Sequence, residues 1–347
     1  MAYTTIKKPS DYFNTKLYTG NNNITQTISG VGFQPDWVWI KNRDNVEGHY
    51  LFDAVRGSGK ILSSANTNAE ADLAINTKPT IASDGFTLTS NGVADELNFG
   101  TRTYASWNWL ANGTGSANTD GSISSTVSAN TTSGFSIVKY TSTGTANSTI
   151  GHGLNATPTN VIIKCTSDGA TSWISKMKGA DGYLYLNNTD ALTSNSTWLP
   201  TDANTFTLAN TWGAYNTSGR TYIAYCFAEK QGYSKFGSYL GNGSTDGTFV
   251  YTGFKPAWLV VKRSSASGDN WIMWDNKRNP FNVTENKLEA NDSGAEAINA
   301  GSNKVDFLSN GFKMRTASAG NNASGSTYIY MAFAEEPLVG DNPATAR

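Results

Sequence analysis

One motif recurs along this chain and constrains its fold more than any other feature. Residues 32–41 and 253–262 share a glycine, a phenylalanine, a proline, a tryptophan and a closing lysine, all at the same spacing. Residues 153–164 form a weaker copy, in which Asn160 stands in place of the tryptophan and Lys164 closes the motif. Self-similarity of this kind predicts three versions of one structural unit.

Three further landmarks follow each copy of the motif in the same order. An aromatic residue stands nine positions after each lysine, as Tyr50, Trp173 and Trp271, which predicts a hairpin of constant length. A turn then opens a strand, and an alternating strand closes the unit. The opening turns lie at 84–88, 204–208 and 310–314, and the closing strands at 103–109, 221–229 and 327–335.

The motif itself predicts a buried central strand. Alternation places Trp37 and Trp39 on one face and Val38 and Ile40 on the other, so both faces are apolar. In the closing strand, the alternate positions 105, 107 and 109 share a mostly large, apolar face. These faces predict a core on one side of the sheet and a neighbouring layer on the other.

Composition agrees with a β-rich fold. Only 15% of the 347 residues are charged, 12% are aromatic, and 34 are glycine, so neutral polar residues and turn formers fill the chain. We expect an all-β protein of three tandem β-sandwich (jelly-roll-like) domains built on one internal repeat. The expected division is an N-terminal arm at 1–16, repeat 1 at 17–113, a linker at 114–133, repeat 2 at 134–231, repeat 3 at 232–337 and a tail at 338–347. The linker is rich in Ser, Thr, Asn and Gly, which fits either an extended surface strand or a hinge.

We predict no catalytic, cofactor-binding or metal-binding residue, and therefore a protein that is not an enzyme. The chain has two histidines, and His152 beside a turn is expected at the surface. Cys165 and Cys226 are expected as small apolar strand residues. Pairs such as Asp84 and Gly85 indicate turns rather than calcium ligands.

Four carboxylates come closest to what glycoside hydrolysis requires, namely Asp53, Asp275, Glu229 and Glu335. Glu229 and Glu335 end the closing strand at the same position in two repeats. A repeated position favours a structural role, and we expect these glutamates to meet the lysine of the opening motif.

Aromatic side chains near loops are the main binding signal. Trp198, Trp212, Tyr215 and Trp274 are the candidates for a surface that contacts carbohydrate, because flat aromatic faces beside polar residues suit sugars. Trp173 and Trp271 share a repeat position with Tyr50, which favours core packing for them.

The combination of the opening motif, the turn at 151–154, the segment 120–138 and the closing strand at 328–335 resembles an uncharacterised family. Its members carry such repeats and are encoded among the structural genes of tailed phages of marine bacteria and cyanobacteria. The resemblance implies a non-enzymatic virion structural protein, foremost a tail fibre or appendage that contributes to host-surface attachment. A capsid (head) decoration or head fibre is the alternative, and a carbohydrate-binding or carbohydrate-hydrolysing module on the particle is an alternative of another class.

This resemblance also sets the expected partners. They are other virion proteins, further copies of the chain in a homotrimer, and a glycan of the host surface. The formal net charge of -1 does not favour nucleic-acid binding. We expect no membrane insertion, because no stretch approaches the length of a membrane span and no signal peptide is visible. The expected location is the virion, assembled in the host cytoplasm.

Overall fold

The regular structure of the protein is almost entirely antiparallel β-strand, so the predicted all-β class is confirmed. A computed structural model describes residues 3–72, 77–90, 96–299, 301–340 and 343–344. Within these ranges there is no α-helix, and one turn of 3-10 helix lies at Pro9–Asp11. The first strands are β1 (Phe13–Thr19), β2 (Thr25–Ser29), β3 (Trp37–Asn42), β4 (His49–Asp53), β5 (Lys60–Ile61), β6 (Ala71–Asp72), β7 (Thr77–Ala82), β8 (Gly85–Ser90) and β9 (Thr103–Trp109).

The remaining strands continue to the end of the closing motif. In the middle of the chain they are β10 (Ser116–Asn118), β11 (Ser125–Asn130), β12 (Phe135–Thr141), β13 (Ser148–Gly151), β14 (Asn160–Cys165), β15 (Ile174–Lys176), β16 (Gly182–Tyr185), β17 (Thr193–Ser194), β18 (Thr205–Leu208) and β19 (Thr221–Phe227). The last are β20 (Ser234–Leu240), β21 (Phe249–Tyr251), β22 (Phe254–Arg263), β23 (Ile272–Asp275), β24 (Leu288–Glu289), β25 (Val305–Leu308), β26 (Gly311–Met314) and β27 (Thr327–Pro337).

Three large sheets repeat one strand order. Large sheet 1 runs β1-β9-β3-β4, and large sheet 3 runs β20-β27-β22-β23-β24. Large sheet 2 contains the same core order, β12-β19-β14-β15, and extends it with β11 and β10 at one edge and β16 and β17 at the other. In each case the closing strand lies between the first strand and the motif strand, so the motif is held in the sheet interior.

Three small sheets accompany the large ones. Small sheet 1 has the order β2-β8-β7, small sheet 2 pairs β13 with β18, and small sheet 3 has the order β21-β26-β25. One face of each large sheet packs on its small sheet and forms a separate apolar core. In sheet 1 this core contains Val38, Ile40 and Phe52 from the large sheet and Ile28 and Phe86 from the small one.

The opposite faces of all three large sheets meet in one central apolar cluster. It contains Trp37, Trp107 and Trp109 of sheet 1, Tyr225 and Phe227 of sheet 2, and Trp258, Met331 and Phe333 of sheet 3. All six residues of β3 are buried, so the prediction of a central strand with two apolar faces is confirmed. The cluster also contains the alternate residues of all three closing strands, as expected. A cavity of about 20 Å³ within it has an entirely aromatic and aliphatic lining, so the centre is packing rather than a ligand site.

The structure corrects two assignments at the domain boundaries. Strand β1 begins at Phe13, inside the segment expected as an arm at 1–16, and Ile6 is buried in the central cluster. Strands β10 and β11 lie inside the segment expected as a linker at 114–133 and pair with each other and with β12. Of the two alternatives for that segment, the extended strand is the one observed, because backbone pairing needs no apolar side chains.

A third correction concerns the hairpin that follows each motif lysine. Lys41 pairs with His49, and Ile40 pairs with Tyr50. In sheets 2 and 3 the registers place Trp173 and Trp271 opposite Lys164 and Lys262. His49, rather than Tyr50, is therefore the counterpart of the two tryptophans, because the hairpin loop of sheet 1 is one residue shorter.

Candidate functional site

The three motif lysines each cross from one large sheet to the next. Lys41 donates a hydrogen bond to the Ser293 carbonyl oxygen at 3.1 Å, Lys164 to that of Thr67 at 3.0 Å, and Lys262 to that of Thr189 at 3.3 Å. The acceptors lie in the loops after β24, β5 and β16, so the bonds link sheet 1 to repeat 3, sheet 2 to repeat 1 and sheet 3 to repeat 2, which closes a cycle. All three side chains are buried, and burial lowers the pKa of each ammonium group to about 8.

The expected pairing of the closing motif lysines with Glu229 and Glu335 is wrong. Glu229 forms an ion pair with Lys178 and accepts a bond from the backbone N–H of Phe236 at 2.6 Å. Glu335 pairs at 3.2 Å with Lys255, which lies in the opening motif of repeat 3 but is not its closing lysine. Carbonyl oxygens satisfy the motif lysines instead, some from the lysine's own hairpin and one in each case from a distant part of the chain.

A second set of contacts follows the same cycle. Trp173 Nε1 donates to the Ser63 carbonyl oxygen at 2.8 Å, and Trp271 Nε1 donates to that of Tyr185 at 2.9 Å. At the corresponding position of sheet 1, His49 Nε2 lies 3.0 Å from the Glu289 carbonyl oxygen. Trp39 Nε1 donates to His49 Nδ1 at 2.7 Å, so His49 is neutral with its proton on Nε2. Burial lowers the pKa of His49 to about 3.

Backbone bonds complete the cycle two residues beyond each lysine. The carbonyl oxygens of Arg43, Thr166 and Ser264 accept N–H groups of Glu296, Glu70 and Leu192 at 2.7, 2.8 and 2.9 Å. Each bond again joins the same pair of neighbouring sheets. The lysine and backbone contacts thus repeat at all three interfaces.

Two interfaces hold a buried carboxylate between two partners. Asp53 pairs with Arg56 at 2.5 Å and accepts a bond from the Tyr225 hydroxyl of sheet 2 at 2.8 Å. Asp275 pairs with Arg278 at 2.5 Å and accepts a bond from Trp107 Nε1 of sheet 1 at 3.1 Å. Two of the four carboxylates considered for hydrolysis, Asp53 and Asp275, are therefore occupied as structural anchors.

Sheet 2 replaces this polar set with an apolar one. A second carboxylate reaches each arginine, Glu70 to Arg56 at 3.4 Å and Glu296 to Arg278 at 3.3 Å. The corresponding positions of sheet 2 carry Met177, Ala180 and Leu192, which all pack in or against the central cluster. The donor position on the facing closing strand is Met331, which lines the same central cavity as Met177. Polar groups thus face polar groups, and apolar groups face apolar ones.

The expectation that the four candidate aromatics lie at the surface is wrong for three of them. Trp198, Tyr215 and Trp274 are buried, and Trp212 is half-buried. Trp274 belongs to the core of sheet 3, where its Nε1 donates to the Asn303 carbonyl oxygen at 3.0 Å. Sequence alone does not show which loops cover an aromatic side chain.

The other three candidates come together beside β16, with two tyrosines that the sequence pattern did not single out. Trp212 lies against Tyr183 with ring centroids 4.7 Å apart, and Tyr183 lies 5.5 Å from Tyr185. The buried Trp198 and Tyr215 pack beneath this group. The ring centroid of Trp198 lies 5.9 Å from that of Tyr183, and the ring centroid of Tyr215 lies 5.7 Å from that of Trp212. The alternation of residues in β16 is a sequence signal for the two tyrosines, since it places Tyr183 and Tyr185 on one face of the strand. We call Tyr183, Tyr185 and Trp212 the aromatic patch.

The aromatic patch has a fixed base and a polar border. Trp198 Nε1 donates to the Gly182 carbonyl oxygen at 2.9 Å, and the Tyr215 hydroxyl donates to the Trp198 carbonyl oxygen at 3.0 Å. Asn210 accepts the backbone N–H of Trp212 at 2.9 Å. Burial and the neighbouring Tyr183 raise the pKa of Tyr185 to about 12, so its phenol is neutral at physiological pH. The patch can offer flat aromatic faces and neutral hydroxyls without rearranging its base.

Other candidate sites are weaker. A cleft of about 250 Å³ beside β4 has Asp53 as its one carboxylate, already paired with Arg56, and it is smaller than most ligand pockets. His152 is buried rather than exposed as expected, and its Nδ1 accepts the backbone N–H of Leu154 at 3.2 Å. Asp84 accepts the N–H groups of Gly30 and Gly32 in a turn. In the described ranges, no group of three or more metal-ligating side chains lies close enough to hold an ion.

Comparison with known proteins assigns the chain to a family. Residues 8–337 match the family model described as a domain of unknown function, DUF7483, and the chain belongs to that family. One family model therefore spans all three large sheets. No curated protein and no solved structure matches the chain. No helix in the described part of the chain is long and apolar enough to cross a membrane.

Proposed function

We propose that the chain consists of three copies of one β-sandwich unit, arranged around a pseudo-threefold axis. The recurring strand order and the closed cycle of equivalent contacts support this arrangement. A cycle of this kind makes a rigid block from one chain, because each unit buries its apolar face against the other two. The homotrimer expected from the sequence remains a prediction about further assembly of this block.

We propose that this block is a structural component of a phage virion, foremost a tail fibre or appendage that attaches to the host surface. The resemblance of the repeat motifs supports a virion component, and the use of Asp53 and Asp275 as structural anchors favours a role without hydrolysis. Head decoration remains the alternative location. Immunogold labelling of intact particles tests the proposal. Label on the tail supports it, label on the head favours the alternative, and absence from purified particles contradicts both.

The aromatic patch is the surface we propose for contact with a host glycan. The observation that carries this step is the half-buried trio Tyr183, Tyr185 and Trp212 on a hydrogen-bonded base. The C–H face of a sugar ring is attracted to the electron-rich face of an aromatic ring, and the neighbouring hydroxyls and amides can bind its oxygens.

Glycan-array binding by the intact protein tests the patch. We expect Trp212→Ala to reduce binding about tenfold, the effect of losing roughly 1.4 kcal/mol of contact energy. Phe281→Ala is the control, because Phe281 is 76% exposed and lies in the loop between β23 and β24, outside the patch. Equal binding by Trp212→Ala and the native protein, or equal loss in both variants, would remove the patch from the proposal.

A further inference from the structure

The first strand of each small sheet forms an edge, and the three edges differ in what they expose. Thr27 of β2, Thr149 of β13 and Phe249 of β21 occupy equivalent positions in the three small sheets. They pair with Thr87, Thr207 and Lys313, respectively, which are equivalent positions of the second strand. Two positions further on stand Ser29, Gly151 and Tyr251. Edge strands present unpaired backbone groups and are the usual place for another strand to add.

The chain itself covers the edge of small sheet 2. Ile123 donates its backbone N–H to the Thr149 carbonyl oxygen at 3.1 Å and forms a parallel bridge with Ile150. Ser122 and Thr149 exchange two further bonds, each from a backbone N–H to the other's hydroxyl, at 2.9 and 2.8 Å. This edge therefore accepts an extended segment in the native fold.

Small sheet 3 presents the same edge with aromatic side chains. Phe249 and Tyr251 are 44% and 55% exposed, whereas the first sheet carries the hydroxylated Thr27 and Ser29 at these positions. Leu240, at the end of β20, is 60% exposed, and its carbonyl oxygen accepts the hydroxyl of Thr248, the residue before Phe249, at 2.7 Å. Lys313, opposite Phe249, is neutralised by Asp246 at 2.5 Å.

Backbone geometry turns the bonding groups of Phe249 and Tyr251 outward. Met314 donates to the Thr248 carbonyl oxygen, and Thr252 donates to that of Asn310, both at 3.0 Å. Hydrogen-bonded pairs alternate along an antiparallel ladder, so residues 249 and 251 direct their N–H and C=O groups away from β26. The Tyr3 hydroxyl donates to the Gly253 carbonyl oxygen at 2.6 Å and lies beside the Tyr251 hydroxyl, so the N-terminal arm meets the side chain of Tyr251 at the end of the strand.

We propose that β21 pairs with β21 of a second copy of this chain, antiparallel and across a twofold axis at Val250. In this register Phe249 faces Tyr251 of the partner copy, and Tyr251 faces its Phe249. The strand is self-complementary, because its two outward residues flank Val250 symmetrically. No charged side chain is brought against a like charge, since Lys313 keeps its ion pair with Asp246. The contact is small, so the dimer forms at high protein concentration or between copies held close together.

Sedimentation velocity over a range of concentrations, up to about 1 mM, tests the dimer. The variant Phe249→Thr with Tyr251→Ser copies the residues that small sheet 1 uses at the same register, so folding is preserved. We expect it to raise the dimer dissociation constant at least tenfold. Phe281→Thr is the control, because it removes an exposed aromatic from the loop between β23 and β24 and should leave the dimer unchanged.

Disulfide trapping tests the register independently. Paired residues of this type have Cα atoms about 5.5 Å apart, which a disulfide can span. Oxidation of an equimolar mixture of Phe249→Cys and Tyr251→Cys proteins should give covalent dimers in higher yield than either protein alone. Cys165 and Cys226 are buried and do not compete. The proposal would be overturned if the protein is monomeric at every concentration and the cysteine variants form no covalent dimer. It would also be overturned if a dimer forms but the Thr and Ser substitutions do not weaken it.

Discussion

The Tyr225 hydroxyl donates a hydrogen bond to the Asp53 carboxylate across 2.8 Å, and this bond joins large sheet 2 to large sheet 1. Both side chains are buried, so the bond is shielded from water. Its counterpart in the next interface is the bond from Trp107 to Asp275. In the third interface Met331 and Met177 occupy these positions, which shows that the fold accepts either a complete polar pair or none.

Replacing Tyr225 with phenylalanine should therefore destabilise the protein. The Asp53 carboxylate loses one of its buried partners, at a cost of about 1–3 kcal/mol in the free energy of unfolding. Tyr233→Phe is a matched control, because the buried Tyr233 hydroxyl has no hydrogen-bond partner in the described part of the protein. Urea denaturation should show a loss for Tyr225→Phe and no loss, or a slight gain, for Tyr233→Phe. Equal effects of the two changes would mean that the bond to Asp53 contributes nothing.

The buried ion pair of Asp275 should contribute far more to the free energy of unfolding than an exposed ion pair does. Asp275→Asn leaves Arg278 with a weakened partner in the interior, and breaking such a pair typically costs about 3–5 kcal/mol. Asp246→Asn removes the exposed pair with Lys313 and should leave the urea midpoint nearly unchanged. If the two variants have the same midpoint, the polar anchors between the sheets are not what stabilises the cycle.

Alternation along the chain predicts the strands well. Because side chains of a strand alternate between faces, the order of residues in β3 is enough to separate Trp37 and Trp39 from Val38 and Ile40. Counting residues across a loop does not identify equivalent positions reliably. The loop after Lys41 is one residue shorter than its counterparts, so His49 rather than Tyr50 is the residue equivalent to Trp173 and Trp271. Loop length is weakly constrained by energy, whereas strand register is tightly constrained.

Long-range polar contacts could not be predicted from composition. The motif lysines were expected to meet glutamates, because opposite charges attract. They bind carbonyl oxygens up to 252 positions away in the sequence, such as that of Ser293 for Lys41. In the same way, Trp198 and Tyr215 gave no local sign of burial, and Tyr183 and Tyr185 form a patch only because the fold brings Trp212 against them.

The buried lysines predict an unusual rise in stability at alkaline pH. Their folded-state pKa of about 8 lies below the unfolded value of 10.5, so between these values the folded state has released protons that the unfolded state still binds. Stability must therefore increase with pH across this window. Above about pH 10 the opposite follows, because burial raises the pKa of tyrosines such as Tyr225 and the unfolded phenols ionise first.

Urea midpoints measured from pH 7 to 9.5 check this expectation. We expect the midpoint to rise in the native protein and to rise by less in Lys164→Met, which removes one of the three buried motif lysines. Lys8→Met, at an exposed lysine, should retain the full rise. A midpoint that is flat or falls over this range would contradict burial of charged lysines between the sheets.

Differential scanning calorimetry of the intact chain tests the closed cycle of three interdependent sheets most directly. The face of each large sheet that points away from its small sheet is buried only against the other two large sheets. Separation of one sheet would therefore expose the aromatic side chains of all three. We predict one unfolding transition, with a calorimetric enthalpy equal to the van't Hoff enthalpy. Two or three resolved transitions, or a calorimetric enthalpy about three times the van't Hoff value, would show that the units unfold independently and would contradict the cycle.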